Sequence, residues 1–408
     1  MRKIVIIGAG ASGLIAGATS ALQGNDVIIL EKMPRPGRKL MITGKGRCNI
    51  TNACFDVDDL MSNIPTNSRF LYSAFSSFMP YDVIALMQDL GVETKIERGN
   101  RVFPVSDKAV DVVDALVRYA TRSGAKIVNK AATAFELKDG VIKNIVLDDG
   151  TKLECDAVGV CTGGKSYPLT GSTGDGYTLA KSVGHTISNI KPSLVPLVAN
   201  NNFIPKLQGL SLKNVNAKIV DENNKEVFSE FGEMIFTHFG VSGPIILSAS
   251  AHLDNPKNHK YKLVIDLKPA LDEKTLDKRI QKDFIENTNK DFINSLNHLL
   301  PNKIIPVIVK LSGIKPSAKV NQITREERLR LVELLKGFTV NIVDFRPIEE
   351  AIVTSGGVNV KEINPKTMQS KLVSNLYFAG EIIDVDAYTG GFNLQIAFST
   401  GYLLGKNI

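Results

Sequence analysis

The sequence predicts an α/β protein in which a Rossmann-like nucleotide-binding domain is built from both ends of the chain. A glycine-rich turn joins two apolar, strand-like runs at the N-terminus, and a strand-turn-helix texture returns from Ile352. The stretch between them holds short strand-like pieces and then charged residues with helical period. The predicted domains are a nucleotide-binding domain over 1–194 plus 352–408, a β-rich inserted domain over 195–268 plus 337–351, and a small helical subdomain over 269–336.

The first predicted element is a βαβ unit. Residues 3–7 and 26–30 are continuous apolar runs rich in β-branched side chains, typical of parallel strands buried on both faces. Between them, Gly8, Gly10 and Gly13 have GxGxxG spacing and open a helix of small residues. The first glycine permits a tight turn, the second lets the backbone approach a pyrophosphate, and the third lets helix and strand pack closely.

An acidic residue completes this fingerprint. Glu31 lies 18 positions after Gly13, at the end of the second strand, where its carboxylate can accept hydrogen bonds from ribose hydroxyls. Its charge would repel a 2′-phosphate. The backbone N–H groups at Ala11 and Ser12 lie at a helix N-terminus, which favours phosphate. The motif predicts a dinucleotide site without distinguishing NAD from FAD.

Later segments continue the pattern. Helical spacing of apolar residues predicts a helix over 107–119, and short apolar runs predict strands over 126–128, 132–137, 141–147 and 158–160. In the insertion, strands are expected over 214–220 and 261–267. The clearest helix there has Thr324 and Glu327 in capping-box spacing, Gly337 past its end, and an apolar face of Leu329, Val332 and Leu335.

The C-terminal segment favours a flavin over a nicotinamide at the fingerprint. Residues 375–379 form a predicted strand, followed by the acidic residues Glu381, Asp384 and Asp386 and by a helix that Gly390 and Gly391 open. A flavin needs such an element, because its ribityl chain and ring extend beyond the pyrophosphate. Backbone N–H groups at residues 391–393 can face the N1/O2 edge of the ring and stabilise the negative charge of reduced flavin.

Residues 37–52 follow Glu31, where a flavoprotein chain runs along the cofactor. Arg38, Lys39 and Arg47 offer positive charge to the two phosphates. Uncharged hydrogen bonds to ribityl or ring are available from Thr43, Asn49 and Thr51. Each of these residues taken singly could equally be a solvated loop residue. The glycine-rich sequence of the segment favours cofactor contact for the group.

Several long motifs resemble the BaiN/RdsA-type NAD(P)/FAD-dependent oxidoreductase family, which includes aminoacetone oxidase-like flavoproteins. The motifs are residues 8–13 with Glu31, 43–52, 101–108, 162–168 with 171–176, 237–244, 354–358 and 379–395. The resemblance spans essentially the whole chain and implies a Rossmann-like FAD-binding domain of the two-dinucleotide-binding flavoprotein type with a β-rich and helical insertion. Lys45 stands where the family often has a third glycine, and it adds a cation beside the cofactor segment.

The motifs and the resemblance together define the predicted cofactor-binding residues. They are Gly8, Gly10, Ala11, Ser12, Gly13, Glu31, Lys32, Arg38, Lys39, Thr43, Gly44, Arg47, Cys48, Asn49, Ala132, Thr162, Gly163, Gly164, Gly380, Glu381, Asp386, Gly391, Phe392, Asn393 and Leu394. Family members differ in activity, so the resemblance does not assign a substrate.

Two residues are catalytic candidates. His238 lies in the insertion, which in this family's architecture would face the flavin, and histidine is the residue type that most often delivers a proton at neutral pH. Tyr167, and more weakly Tyr388, are alternative donors. A packed or hydrogen-bonded role is the alternative for all three side chains.

The four cysteines show neither a CxxC pair nor a zinc spacing, so no metal is expected. Cys155 and Cys161 bracket a strand and would lie about 20 Å apart, too far for a disulfide. Cys48 and Cys54 raise the alternative of a dithiol relay beside the flavin, as in disulfide reductases, but their spacing from the fingerprint is one residue longer and a second nucleotide fingerprint is missing. We interpret Cys48 as a small packed residue near the cofactor.

Composition sets the remaining expectations. The net charge is +7, but no Lys/Arg run forms a basic tail, so nucleic acid is not expected as a partner. No 18 consecutive apolar residues occur, and we expect a cytoplasmic protein without membrane contact, as a monomer or homodimer acting on a small molecule.

The predicted function is an FAD-dependent oxidoreductase that transfers hydride through flavin N5 between NAD(P)H or an organic donor and a small-molecule acceptor. Without a second dinucleotide domain, NAD(P)H as co-substrate would share one pocket with the acceptor in turn. An NAD(P)H-dependent reductase is preferred. The alternatives are an aminoacetone or amine oxidase that produces hydrogen peroxide and a non-catalytic flavin-binding regulatory or RNA-binding protein.

Overall fold

A computed structural model describes all 408 residues of the chain. The chain forms two compact units, one of Met1–Ser193 with Pro347–Ile408 and one of Leu194–Arg346. Residues 347–351, which the sequence analysis placed in the insertion, lie in the first unit, and the helical segment lies in the same unit as the β-rich segment.

Strands and helices are numbered here along the whole chain. The strands are β1 (Lys3–Ile7), β2 (Asp26–Leu30), β3 (Thr51–Asn52), β4 (Thr94–Glu97), β5 (Arg101–Pro104), β6 (Lys126–Val128), β7 (Ala132–Lys138), β8 (Val141–Leu147), β9 (Lys152–Glu154), β10 (Ala157–Val160), β11 (Lys191–Ser193), β12 (Leu197–Ala199), β13 (Ser211–Val220), β14 (Glu226–Phe236), β15 (Gly240–Ser242), β16 (Tyr261–Asp266), β17 (Phe338–Phe345), β18 (Val353–Ser355) and β19 (Leu376–Phe378). The helices are α1 (Ala11–Leu22), α2 (Arg38–Ile42), α3 (Val57–Ser62), α4 (Tyr72–Ser77), α5 (Pro80–Asp89), α6 (Ala109–Arg122), α7 (Asp175–Ser182), α8 (Ile204–Leu207), α9 (Pro244–Ser250), α10 (Glu273–Glu286), α11 (Phe292–Ser295), α12 (Ile305–Ser312), α13 (Arg325–Lys336) and α14 (Phe392–Asn407).

A five-stranded sheet organises the first unit. All its strands are parallel, in the order β19-β10-β1-β2-β6. β1 and β10 are buried along nearly their whole length, as the unbroken apolar runs predict. β2 and β6 lie on one side of β1, and β10 and β19 lie on the other, so the order of strands changes direction at β1. A crevice is therefore expected at the carboxyl ends of β1 and β10, where ligands bind in such sheets. The predicted Rossmann-like, FAD-binding type of α/β fold is confirmed.

Three smaller sheets complete the first unit. They are β3-β5-β4, β7-β8-β9 and the two-stranded ribbon β11-β18. In the ribbon Ser193 lies opposite Val353, so the chain leaves for the second unit and returns from it at adjacent positions.

The second unit contains a closed barrel of six antiparallel strands, in the order β12-β15-β14-β13-β16-β17. Buried residues alternate along its strands, and the rings of Phe236 and Phe338 meet edge to face with centroids 6.3 Å apart. The sequence predicted a β-rich insertion here but not closure of the sheet.

Helices α10 to α13 follow within the second unit. The predicted capping box is confirmed: the Glu327 N–H donates to Thr324 Oγ1 over 3.2 Å, and the Thr324 N–H donates to Glu327 Oε2 over 2.9 Å. The predicted apolar face is wrong at one position, because Leu329 is 38% exposed and Leu331 is buried instead.

No single helix of the chain is long and apolar enough to cross a membrane, although a bent pair of segments, Ser68–Ser77 and Pro80–Asp89, passes that test jointly by length and composition.

Candidate active site

The glycine-rich turn after β1 lies at the crevice of the parallel sheet. A Cβ atom placed on Gly13 would stand 1.8 Å from the Gly8 carbonyl oxygen, so the fold itself requires glycine there. A Cβ atom on Gly10 would meet no protein atom within 4 Å. Packing within the protein therefore explains Gly13 but not Gly10, and the space over Gly10 fits a ligand that approaches the backbone closely.

Two long helices of the first unit begin without side-chain caps. Gly10 is the N-cap of α1 and Gly391 the N-cap of α14, and neither helix has an acidic residue in its first turn. The N–H groups and the positive dipole end of each helix are thus available to an anion or a developing negative charge. These are the two half-sites that the sequence predicted at opposite ends of the chain.

The Glu31 carboxylate is fixed against the turn. Its Oε2 accepts a hydrogen bond from the Ala9 N–H over 2.9 Å, and its Oε1 accepts one from the Met33 N–H over 2.8 Å. The residue stays half-buried, so its remaining lone pairs can accept from a ribose. The Lys32 ammonium group pairs with Asp175 and donates to Thr173, both at 2.5 Å, and its contact with a cofactor stays a prediction.

A half-buried ion pair joins the beginning of the chain to its end. Lys39 Nζ lies 2.6 Å from Glu381 Oε2 and 2.6 Å from Ser166 Oγ. Glu381 Oε1 accepts from the Thr354 N–H over 2.8 Å and lies 3.2 Å from Ser166 Oγ. Thr354 Oγ1 in turn accepts from the backbone of Lys165 and Ser166. Residues from four distant segments are therefore held together around Gly164, whose Cβ atom would stand 2.4 Å from Thr354 Oγ1.

The N-terminus of α14 is preformed by its neighbours. Asn52 Nδ2 donates to the Gly390 carbonyl over 3.0 Å, and a Cβ atom on Gly391 would stand 2.3 Å from the Thr51 carbonyl oxygen. The Asn393 side chain accepts from the Ala387 N–H over 3.0 Å and donates to the Ala387 carbonyl over 2.7 Å. Phe392 is buried, while Leu394 and Asn393 are half-buried.

Arg47 is engaged by protein groups. Its guanidinium lies 4.1 Å from the centre of the Phe103 ring and pairs with Glu97 and Asp107. Hydrogen bonds from Arg47 hold the pKa of the Glu97 carboxyl below its usual range, and those from Lys95 and Arg47 do the same for Asp107. Its role as a phosphate ligand stays a prediction.

The other predicted cofactor residues lie at the ends of helices and strands or in turns of the first unit, and their contact with a cofactor stays a prediction. Thr43 Oγ1 donates to the Leu40 carbonyl over 2.7 Å, and Asn49 Oδ1 is buried without a hydrogen-bond partner. The remaining residues have the following positions: Ala11, Ser12 and Arg38 begin helices, Gly44 lies in a left-handed turn, Ala132 begins β7, Thr162 and Gly163 follow β10, and Gly380 follows β19.

Asp386 lies in the interior of the first unit. It is 1% exposed, its Oδ2 lies 2.7 Å from Ser193 Oγ, and its Oδ1 has no hydrogen-bond partner. Burial raises the pKa of this carboxyl above its usual range, although hydroxyl groups of Ser193, Thr66 and Ser355 oppose the shift. Its contact with a cofactor stays a prediction.

The two catalytic candidates lie in different units. Tyr167 follows Ser166 in the first unit with left-handed backbone (φ 54°) and is half-buried. His238 lies in the second unit, exposed in the turn between β14 and β15, with its ring edge-on to Phe239 at 5.0 Å. Their catalytic roles stay predictions.

Sequence reasoning missed Ser166 and Thr354 as site residues. Both belong to motifs that carried the family resemblance, and a serine after a Gly-Gly turn at a strand end was the available signal. The partner of Thr354, however, is 27 residues away in sequence and that of Lys39 is 342 residues away, and no local pattern encodes such pairings.

All four cysteines are free thiols. Burial raises the pKa of Cys48, Cys155 and Cys161 to about 12, so these thiols hold their protons at neutral pH. Cys54 is only partly buried. A dithiol relay requires a thiolate, which the environment of Cys48 disfavours.

Alkylation of the native chain near pH 8 is therefore expected to modify one thiol, Cys54, at a measurable rate. Urea should expose all four thiols to the reagent. Mass spectrometry of digested protein identifies the modified residue, and Cys54→Ser is the matched control that should remove the native reaction. Rapid modification of Cys48 in the folded chain would contradict this expectation and revive the dithiol relay.

The parallel sheet, the fingerprint and the relatives of the chain together define the class of this protein, a Rossmann-fold flavoprotein oxidoreductase. The chain belongs to the family described as "HI0933-like protein Rossmann domain", which it matches over residues 2–407. It is 31% identical over 414 residues to a 3-dehydro-bile acid delta(4,6)-reductase of Clostridium scindens, covering 100% of this chain and 98% of that protein. It is 29% identical over 405 residues to a ribosomal RNA dihydrouridine synthase of Escherichia coli, covering 99% and 97%.

Among solved structures, the fold is similar to that of 3-ketosteroid delta1-dehydrogenase from Sterolibacterium denitrificans. The TM-score is 0.52 with 12% sequence identity, and the similarity covers 99% of each chain.

Proposed function

We propose that this protein is an FAD-dependent reductase in which hydride passes from NAD(P)H, through flavin N5, to a carbon–carbon double bond of a small molecule. The observation that carries the proposal is the open space over Gly10 at the uncapped N-terminus of α1, and the second uncapped N-terminus, that of α14, supports it. The names of the two relatives support this direction of chemistry, since the first is a reductase and the second forms a dihydro product.

The residues present fit FAD. The N-terminus of α1 would hold the pyrophosphate, Glu31 the adenosine ribose, and the N–H groups at residues 391–393 the N1/O2 edge of the ring. When bound, FAD would supply a ring that accepts a hydride and returns it. The protein would orient that ring and place a helix N-terminus where negative charge develops.

We further propose that NAD(P)H and the acceptor use the same crevice in turn. The second unit is an antiparallel barrel with helices and contains no parallel βαβ unit that could hold a nicotinamide dinucleotide. The glycines of residues 171–176 follow a short 3-10 helix rather than a strand. A shared crevice implies ping-pong kinetics. His238, or Tyr167, would deliver the proton that balances the hydride.

Anaerobic stopped-flow mixing tests the proposal. The flavin-loaded protein should lose its yellow absorbance with NADH or NADPH and recover it when a conjugated enone is added. The outcomes separate the alternatives. Bleaching by aminoacetone with formation of peroxide in air would show an oxidase, and no bleaching by any donor would favour a binding protein. Recovery with ribosomal RNA but not with small enones would contradict the proposed small-molecule acceptor.

A further inference from the structure

His185 is buried beside β19, an edge strand of the parallel sheet, and plays no part in the proposed reaction. It follows α7, its side chain is 0% exposed, and its ring meets Phe378 of β19 edge-on with centroids 4.9 Å apart. β19 ends at Phe378, directly before the loop that carries Gly380 and Glu381.

The hydrogen-bond partners of His185 determine which nitrogen carries its proton. Ser370 Oγ accepts from the N–H groups of Leu372 over 3.0 Å and Val373 over 2.9 Å, which uses both of its lone pairs. Its single proton must then be donated to His185 Nε2, 2.8 Å away. Nε2 is therefore unprotonated, and Nδ1 carries the hydrogen that is donated to Glu362 Oε2 over 3.0 Å. The network selects a neutral imidazole.

A second proton on His185 would sit on Nε2 and face the Ser370 hydroxyl hydrogen. Ser370 could then accept from Nε2 only by giving up one of its two backbone donors. Those donors close the turn over residues 370–373, which leads into β19 through the Ser370 N–H bond to the Leu376 carbonyl, 2.7 Å long. Protonation of His185 therefore weakens the hydrogen bonds that close the 370–373 turn, which is bonded to β19.

The charged groups around the ring are few. Glu362 is the charged group that acts on His185, and its Oε2 also accepts from the Thr186 N–H over 2.9 Å. Lys371, on the turn, directs its ammonium to the Lys361 carbonyl over 2.8 Å. Burial lowers the pKa of His185, and Glu362 opposes that shift without cancelling it.

We propose that His185 is a positioning residue for the crevice: in its neutral form it holds the 370–373 turn and β19 so that Gly380 and Glu381 are in place, and uptake of a proton releases them. This inference rests on the proposed function in one respect, namely that the crevice holds a flavin. The direction of the pH dependence follows from the linkage between proton binding and folding. Because the folded state disfavours the imidazolium, the contribution of His185 is present above its ordinary pKa of 6.5 and is lost as the pH falls through the lower pKa of the folded chain.

Flavin retention during ultrafiltration between pH 8 and pH 5 tests the inference on the loaded protein. Below the pKa of the folded chain, one linked proton weakens flavin binding by up to about tenfold per pH unit. Glu362→Gln should move the onset of release to lower pH, because it removes the carboxylate that favours the imidazolium. His298→Gln, an exposed histidine of the second unit, should leave the profile unchanged.

Amide hydrogen exchange gives a readout that does not need the flavin. The N–H groups of Leu372 and Val373 should lose protection over the same pH range, at lower pH in Glu362→Gln than in the natural sequence. Retention and exchange that do not change with pH, or an onset in Glu362→Gln that is unmoved or raised, would overturn the role of His185. A protein that binds no flavin at any pH would refute the proposed function, and the exchange experiment would still decide the role of His185.

Discussion

Replacing Gly13 with alanine is expected to destabilise the cofactor-free chain by about 3 kcal/mol, since the added Cβ atom collides with a backbone oxygen that no side-chain rotation can move. The same substitution at Gly10 adds an atom to open space. It should cost less than about 1 kcal/mol of stability, from replacing glycine at a helix N-cap, yet weaken flavin binding at least about tenfold.

Two measurements separate the glycines. Urea unfolding followed by circular dichroism gives the stability of each cofactor-free variant, a suitable probe because the chain has no tryptophan. Equilibrium titration with FAD gives the affinity. The assignment of Gly13 to packing and of Gly10 to flavin binding would be wrong if Gly10→Ala unfolded as readily as Gly13→Ala. It would also be wrong if Gly10→Ala bound flavin as tightly as the natural sequence.

Glu381→Ala is expected to lower the free energy of unfolding by about 2 kcal/mol. It removes the acceptor of the Thr354 N–H and leaves the Lys39 ammonium, only 24% exposed, without its carboxylate. Glu381→Gln keeps an oxygen for the Thr354 N–H and should therefore cost less than the alanine variant. The comparison distinguishes loss of charge from loss of a hydrogen-bond acceptor.

The matched control is Glu154→Ala, which breaks the exposed pair with Lys3 and should leave the urea midpoint unchanged. Equal destabilisation by Glu381→Ala and Glu154→Ala would show that the pair linking the two ends of the chain contributes nothing beyond a surface contact. An equal loss in the alanine and glutamine variants of Glu381 would assign the whole effect to the charge.

Local sequence patterns predicted the elements that carry a strong local signal. The strands at 3–7 and 26–30 are confirmed because β-branched apolar runs favour a strand buried on both faces. The cap at Thr324 is confirmed because its reciprocal hydrogen bonds lie within one helical turn. Leu329 was misplaced because a short, highly charged helix leaves its apolar face poorly defined by spacing alone.

Features set by long-range packing were beyond such patterns. Helices α3 to α5 received no prediction: α3 and α4 are short and bury only one and two residues, while the helical spacing of Pro80, Val83 and Met87 in α5 was overlooked. Closure of the barrel depends on pairing between β12 and β17, which are far apart in sequence. The ion pair of Lys39 with Glu381 likewise joins residues that are distant in sequence and forms only when the chain folds. The spacing of the glycines at the crevice is local, so the sequence alone predicted it.

The ribbon of β11 and β18 has a consequence for the engineering of this chain. Ser193 and Val353 are opposite each other in its register, and the second unit closes its own base with a hydrogen bond from the Arg346 N–H to the Pro196 carbonyl. Because the chain leaves and rejoins the first unit at neighbouring positions, residues 194–346 can be replaced by a short turn or by another domain without changing the path of the first unit. Exchange of the second unit therefore leaves the parallel sheet and the glycine-rich turn of the first unit uninterrupted.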